Sequence, residues 1–298
     1  MDRSLFVRSL AATGVARTAS RELVEGALPG TQSLRQAPDR LFAREEELGR
    51  GRLGVCAIDL RDGRRIGRRE RERFPLASTF KLPLVMAVLA RVDRGAERLD
   101  RKLAFRANEI LAYSPAEARY PRGGSLTVAE LCTAAIELSD NTAANLLMRT
   151  LGGPSGVTSY VRSLGDPVTR LDRTEPALNT TAPGDVRDTT TPLAMANLLA
   201  RLVREPVLSP ESKRLLFGWM RNARTGLTRI RAGVPPGWTV GDKTGTTNTA
   251  GNDVAILWPR TGAPIVLAVY FAEVRSSDEN RDAAIASAAR EVIRSFRA

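Results

Sequence analysis

The placement of the strands constrains this fold more than any other feature. Near the C-terminus, WTVGDKTGT (238–246), DVAILWP (253–259) and PIVLAVYFAEV (264–274) are short β-branched and aromatic runs bounded by turn residues, and each reads as a strand. A comparable run lies far upstream: RLGVCAIDL (52–60), followed by the turn RDGRR and a second short strand at RIGRR, which together read as a hairpin. Between these ends, residues 78–220 read mainly as helices and loops. Residues 82–92 are apolar on all sides, as in a buried helix. Residues 127–138 and 141–151 have helical periodicity, and Thr127 to Glu130 fits the Thr-x-x-Glu capping box. LGGPSG (151–156) breaks the pattern, a short helix follows, residues 166–191 form a long loop with three prolines, and residues 192–205 and 209–220 return to helix. Further helices are expected at 33–48 and 278–297. Strands at both ends with helices between them predict one sheet completed by the two ends, with the helical middle as an insertion.

Composition removes several chemistries. The chain of 298 residues has no histidine, which excludes a Ser-His-Asp triad and argues against a catalytic zinc site. A general base must then be a carboxylate, a lysine or a tyrosine. The formal net charge is +12, but the arginines are interleaved with acids, as in RDGRRIGRRERER (61–73), and few aromatics lie among them. That pattern reads as solvated surface rather than a nucleic-acid interface. No stretch approaches the roughly 20 apolar residues that span a bilayer. Cys56 and Cys132 are far apart and flanked by apolar residues, as buried thiols are. Residues 1–30 begin with a charged start and a weakly apolar stretch of small residues. With Arg3, Phe6, Val7 and Arg8 they resemble a twin-arginine export signal that lacks its second arginine, so a periplasmic or secreted protein is expected.

Four segments carry the chemistry. In PLASTFKLP, Ser78 precedes Lys81 by three residues, which places both on one helical face. Only four of the 45 basic residues are lysine, and arginine stays protonated near neutral pH, so it could not act as a base at position 81. Partial burial would lower the lysine pKa and let it take the serine proton. SDN follows at 139–141, between two helical runs, and KTGT at 243–246, on the first C-terminal strand. The trio in this order resembles that of class A β-lactamases and penicillin-binding proteins. RTEPALN (173–179) in the long loop matches the Ω-loop pattern Arg-x-Glu-Pro-x-Leu-Asn, which penicillin-binding proteins lack, and RDTTTP (187–192) matches the loop's far end. From about residue 34 onward the chain resembles a class A serine β-lactamase.

The resemblance implies an α/β plus all-α fold. An antiparallel sheet of about five strands, flanked by N- and C-terminal helices, would span 31–74 and 221–298. An inserted all-helical domain would span 75–220, including an Ω-loop at 170–188, with the active site between the two. It implies Ser78 as nucleophile, Lys81 as its activator, Ser139 as proton donor to the leaving nitrogen, and Glu175 as base for the deacylating water. Either Lys81 or Glu175 serves as the acylation base. Asn141 and Asn179 would contact the substrate or its water. Lys243, Thr244, Gly245 and Thr246 would bind the substrate carboxylate end, with backbone N–H groups of Ser78 and Thr246 forming the oxyanion hole. Tyr113 resembles the aromatic at the site mouth. Some members carry a carboxylate-binding arginine at the position of Asn252; others place it where Arg229 stands, and Arg229 is expected to take that role here. Arg173 and Asp188 would close the Ω-loop as an ion pair. The position of Cys132 is half of a disulfide in some members, but its partner position is Val85, so a free thiol is expected. Ala77 and Thr247 stand where some carbapenem-hydrolysing members have a cysteine pair. The resemblance further implies a monomer with a small β-lactam substrate, no cofactor, no metal, no nucleic acid and no stable membrane anchor.

Overall fold

The structure is a computed structural model that describes residues 42–297, apart from 181 and 183. The proposed export signal, and most of the helix expected at 33–48, lie outside the described residues. The remainder of that helix is α1 (Ala43–Gly49).

The upstream hairpin forms as β1 (Arg52–Asp59) and β2 (Arg65–Arg68), paired antiparallel with Ile58 opposite Arg65. A two-residue strand, β3 (Phe74–Pro75), then leads through a single 3₁₀ turn, Ala77–Phe80, into α2 (Lys81–Asp93). Two more short strands, β4 (Lys102–Arg106) and β5 (Gly123–Thr127), pair with each other. Next come α3 (Val128–Thr133), a π turn at Ala134–Leu138, α4 (Asn141–Thr150) and α5 (Pro154–Ser163). The capping box is present: Glu130 N–H donates to Thr127 Oγ1 (3.2 Å) and Thr127 N–H to Glu130 Oε2 (2.7 Å). β6 (Thr189–Thr190) ends the long loop by pairing with β3. It is followed by α6 (Pro192–Arg204), α7 (Pro210–Arg221) and α8 (Ile230–Gly233). The chain ends with β7 (Thr239–Thr247), β8 (Ala250–Trp258), β9 (Ile265–Ala272) and α9 (Asp278–Arg297).

The main sheet has the order β2-β1-β9-β8-β7 and is antiparallel throughout. The two ends of the sequence therefore complete one sheet, with β1 bonded to β9. β8 and β9 read as continuous apolar runs because both faces of the sheet are covered. Their alternate residues go to two different cores. Val254, Ile256, Val266, Ala268 and Tyr270 join the core shared with α2, α6 and α7. Ala255, Leu257, Leu267, Val269 and Phe271 join the core shared with α9. Burial on both sides is why an antiparallel sheet here lacks the usual apolar–polar alternation. As 82–92 predicted, residues 82–90 of α2 are all buried. Cys56 and Cys132 are buried and unpaired, Cys132 in the same core as Val85. Among the described residues no helix is long and apolar enough to cross a membrane.

Candidate active site

Ser78 lies on the 3₁₀ turn that feeds α2, against the edge strand β7. The turn is tightly constrained. Ala77 has φ +44°, a left-handed conformation that is uncommon outside glycine and that costs free energy unless its surroundings enforce it. They do so through Asn252 on β8, whose Nδ2 donates to the carbonyls of Pro75 (2.8 Å) and Leu76 (3.3 Å). Thr79 Oγ1 donates to Leu76 O (2.6 Å) and meets the Tyr270 hydroxyl at 3.0 Å. Asn252 is thus consumed in holding the turn that carries Ser78. β7 comes close here because position 245 is glycine. A Cβ at that position would sit 2.9 Å from Leu76 O and 3.1 Å from Ser78 N.

Lys81 is the hub of the site. Its Nζ donates to Ser78 Oγ (2.9 Å), Ser139 O (2.7 Å) and Asn141 Oδ1 (2.6 Å), and lies 3.3 Å from Glu175 Oε1. The side chain is fully buried. Burial pushes the ammonium below its ordinary pKa, and the neighbouring Glu175 carboxylate pulls it part of the way back. Ser139, with φ +59°, ends the π turn, and Asp140 caps α4 by accepting from Ala143 N–H (2.9 Å). The Ser139 hydroxyl stands between two amines, 3.5 Å from Lys81 Nζ and 2.9 Å from Lys243 Nζ. Lys243 is itself buried, and its pKa is well below the usual value, first through desolvation and then through repulsion from Lys81. The three motif segments, separated in sequence by up to 165 positions from Ser78 to Lys243, therefore converge on one chain of contacts, Lys243–Ser139–Lys81–Ser78.

Glu175 enters from the long loop. Two contacts hold its carboxylate: Lys81 on Oε1, and Asn179 Nδ2, which donates to Oε2 at 2.6 Å. Asn145 clamps its backbone, donating from Nδ2 to Glu175 O (2.9 Å) and accepting from Glu175 N–H (3.0 Å). The Glu175–Pro176 peptide is cis. Arg173 and Asp188 pair at 2.5 Å, with Asp188 fully buried. Asp188 Oδ1 also accepts from the backbone N–H groups of Asp172 (2.7 Å) and Arg173 (2.9 Å).

An open cleft of about 520 Å³ lies above this cluster, lined by Ser78, Tyr113, Ser139, Asn141, Asn179 and Gly245 with Thr244 and Thr246. Tyr113 is 53% exposed at its rim. Arg229 does not line the cleft. It is buried and ion-paired to Asp282 (2.9 Å), and reaches the site only by donating to Thr246 Oγ1 (2.9 Å) and Gly245 O (3.2 Å). Two lining residues belong to no motif, Arg224 and Thr225; Thr225 Oγ1 meets Thr244 Oγ1 at 2.6 Å. Asn145 was also absent from the sequence reading, although it follows Asn141 by four residues on α4 and shares its face. Among the described residues no cluster of three or more His, Cys, Asp or Glu is placed to hold a metal ion.

The arrangement joins a serine to a buried amine, a carboxylate to that same amine, and a second serine to two amines, beside a cleft walled by hydroxyls. That is equipment for acyl transfer to serine followed by hydrolysis. Comparison with known proteins agrees. The description "Beta-lactamase enzyme family" matches residues 34–296. The carbapenem-hydrolyzing β-lactamase KPC of Klebsiella oxytoca is 45% identical over 251 residues, 84% of this chain and 85% of its own. β-Lactamase L2 of Stenotrophomonas maltophilia is 44% identical over 284 residues, 95% of this chain and 92% of its own. Among solved structures, the reconstructed class A β-lactamase of the last common ancestor of Gram-negative bacteria superposes with a TM-score of 0.85 at 52% identity, covering 88% of this chain and all of that one. The putative class A enzyme PenP of Rhodopseudomonas palustris gives 0.84 at 48%, covering 87% of this chain and all of that one. The chain belongs to the β-lactamase enzyme family, as a class A serine enzyme.

Proposed function

We propose that this chain hydrolyses the amide bond of β-lactam antibiotics in two acyl transfers on Ser78, and so confers resistance to them. The observation that carries the proposal is the shared position of Lys81 Nζ, in contact with both Ser78 Oγ and Glu175 Oε1. In acylation, Ser78 Oγ attacks the lactam carbonyl and its proton passes to Lys81, or through a water to Glu175. Backbone N–H groups of Ser78 and Thr246 hold the oxyanion, a contribution of about 10²–10³ in rate per donor. The C–N bond breaks and the nitrogen takes its proton from Ser139, which Lys81 and Lys243 replenish. In deacylation, Glu175 takes a proton from the water that Asn179 helps to position; that water attacks the ester carbonyl, the bond from the acyl carbon to Ser78 Oγ breaks, and the proton passes by way of Lys81 to Ser78 Oγ. Lys243, Thr244 and Thr246 receive the substrate carboxylate, Arg229 acts on it through Thr246, and Asn141 bonds the side-chain amide. Tyr113 packs beside the substrate at the mouth. Arg173 and Asp188 shape the Ω-loop without touching the reacting atoms.

Penicillins and cephalosporins are the proposed substrates. Carbapenem hydrolysis, named for the Klebsiella oxytoca relative, is less favoured but stays open, because Ala77 and Thr247 replace the cysteine pair of some, not all, carbapenem-hydrolysing members. The further readings are a monomer without cofactor or nucleic-acid partner, exported by the leader at 1–30, with a helical domain at 75–220 inserted between 31–74 and 221–298. The testing experiment is stopped-flow hydrolysis of a chromogenic cephalosporin by the wild type and by Glu175→Gln. Steady turnover is expected from the first. From the second the expectation is a burst of about one equivalent with an accumulated Ser78 ester. Equal turnover by both would remove Glu175 from deacylation.

A further inference from the structure

The cleft carries one cation that the acyl-transfer chemistry does not use. Three arginines, Arg224, Arg229 and Arg231, follow one another on the segment leading into β7. The guanidinium of Arg229 is committed to Asp282 and Thr246, and that of Arg231 to Asp242. The side chain of Arg224 has no hydrogen bond and no ion pair among the described residues, and it lines the cleft. Its backbone is nevertheless fixed. Arg224 N–H donates to Glu137 O at 2.9 Å, which ties it to the π turn that ends in Ser139. The acid on that turn does not neutralise it: Glu137 Oε1 accepts instead from Asn222 Nδ2 at 3.3 Å. A permanent positive charge is thus anchored at its root and free at its tip, at the rim of a binding cleft.

Its position in the cleft decides what it meets. The next residue, Thr225, is bonded to Thr244 at 2.6 Å, so Arg224 stands where the turn that ends in Ser139 meets the wall formed by KTGT. On the proposed function, on which this inference rests, that wall receives the ring carboxylate. In a cephalosporin the adjacent ring carbon bears the variable arm. We infer that Arg224 is a specificity-determining residue that favours β-lactams carrying a second anionic group on the arm next to the ring carboxylate. The ring carboxylate itself is met by the hydroxyls and Lys243, leaving the guanidinium for a second charge. One charge–charge contact at the wet rim of a cleft corresponds to a preference of about three- to tenfold in kcat/KM at low salt, shrinking as salt screens it.

The test uses two cephalosporins with the same acyl side chain, one with a neutral arm and one with a carboxylate on the arm. The ratio of their kcat/KM values is measured for the wild type, Arg224→Ala, Arg224→Lys and Arg224→Glu, at low and at high salt. The expected result is an anionic-to-neutral ratio about three- to tenfold lower in Arg224→Ala, lower still in Arg224→Glu and largely kept in Arg224→Lys, with the wild-type preference reduced by salt. An unchanged ratio in both Arg224→Ala and Arg224→Glu, with turnover intact, would overturn this inference alone. Failure of the folded wild type to open either ring would overturn the proposed function and this inference together.

Discussion

Replacing Asp188 by asparagine tests how the Ω-loop holds Glu175. Asp188 has φ +53°, so alanine would add backbone strain of its own, whereas asparagine tolerates that region and keeps the side-chain shape. Asparagine can still accept the two N–H bonds from Asp172 and Arg173 on Oδ1, but it loses the charge that faces Arg173 Nε at 2.5 Å and puts an amide NH₂, a donor, in place of that acceptor. Breaking a buried ion pair costs about 3–5 kcal/mol. Here Asp188 is fully buried, but the Arg173 side chain keeps 19% of its surface in water and has Asp185 at 4.0 Å, so the expected loss is smaller, about 2–3 kcal/mol. For a chain of this size that corresponds to a melting point lower by about 4–12 °C. The loss falls on the loop and not on the sheet, so acylation of Ser78 should proceed while deacylation slows. The assays are calorimetry and pre-steady-state hydrolysis of a chromogenic cephalosporin, in which a burst should precede a slower steady rate. A melting point within about 1 °C of wild type and a progress curve without a burst would refute this account of the loop.

Three other perturbations have defined outcomes. Gly245→Ala puts a methyl 2.9 Å from Leu76 O and 3.1 Å from Ser78 N, forcing β7 and the Ser78 turn apart; kcat/KM should fall about 10²-fold with little change in the far-ultraviolet circular dichroism. Glu117 is fully buried, and burial together with the Asp140 carboxylate raises its pKa from 4.5 to about 8. A raised carboxyl pKa means that the folded state holds a proton the unfolded chain has released, so this contribution is complete below pH 4.5 and is lost as pH rises through about 8. Glu117→Gln should flatten the fall in melting point between pH 4.5 and about 8, and an unchanged slope in that variant would contradict the assignment. Thiol titration should find Cys56 and Cys132 inert in the native protein, where burial raises both pKa values, and two free thiols after denaturation without reductant.

The sheet was legible because its strands are short apolar runs at the two ends of the chain, and the site was legible where a residue acts within a local motif. Ser78 and Lys81, Ser139 and Asn141, Glu175 and Asn179, and Lys243 and Thr244 each sit within four residues of a partner, so spacing alone groups them. Residues that act across the fold left no such mark. Glu117 matters through Asp140, which lies twenty-three positions further on, and Thr225 through Thr244. Arg229 could be picked out from the sequence, but not its committed partner Asp282, supplied by α9. Asn252 reads as the missing counterpart of an arginine, and only the structure gives it work of its own, bonding Pro75 and Leu76 behind Ser78. The helical reading of 127–138 missed the change to π geometry at Ala134–Leu138, since periodicity does not register the one wide turn that lets Ser139 take φ +59°.

The pairing of β1 with β9 also has a consequence in time. Asp59 is bonded opposite Ile265, 206 positions later, so on a growing chain one edge of β1 stays without its partner until β9 has been made. At about 5–20 residues per second that delay is roughly 10–40 s. Every motif residue through Asn179 has by then been synthesised, yet the edge strand that brings Lys243 to Ser139 has no sheet to belong to until β8 and β9 follow it. A chain ending before Ile265 would contain Ser78, Lys81, Ser139, Glu175 and Lys243 and lack the sheet that brings them together.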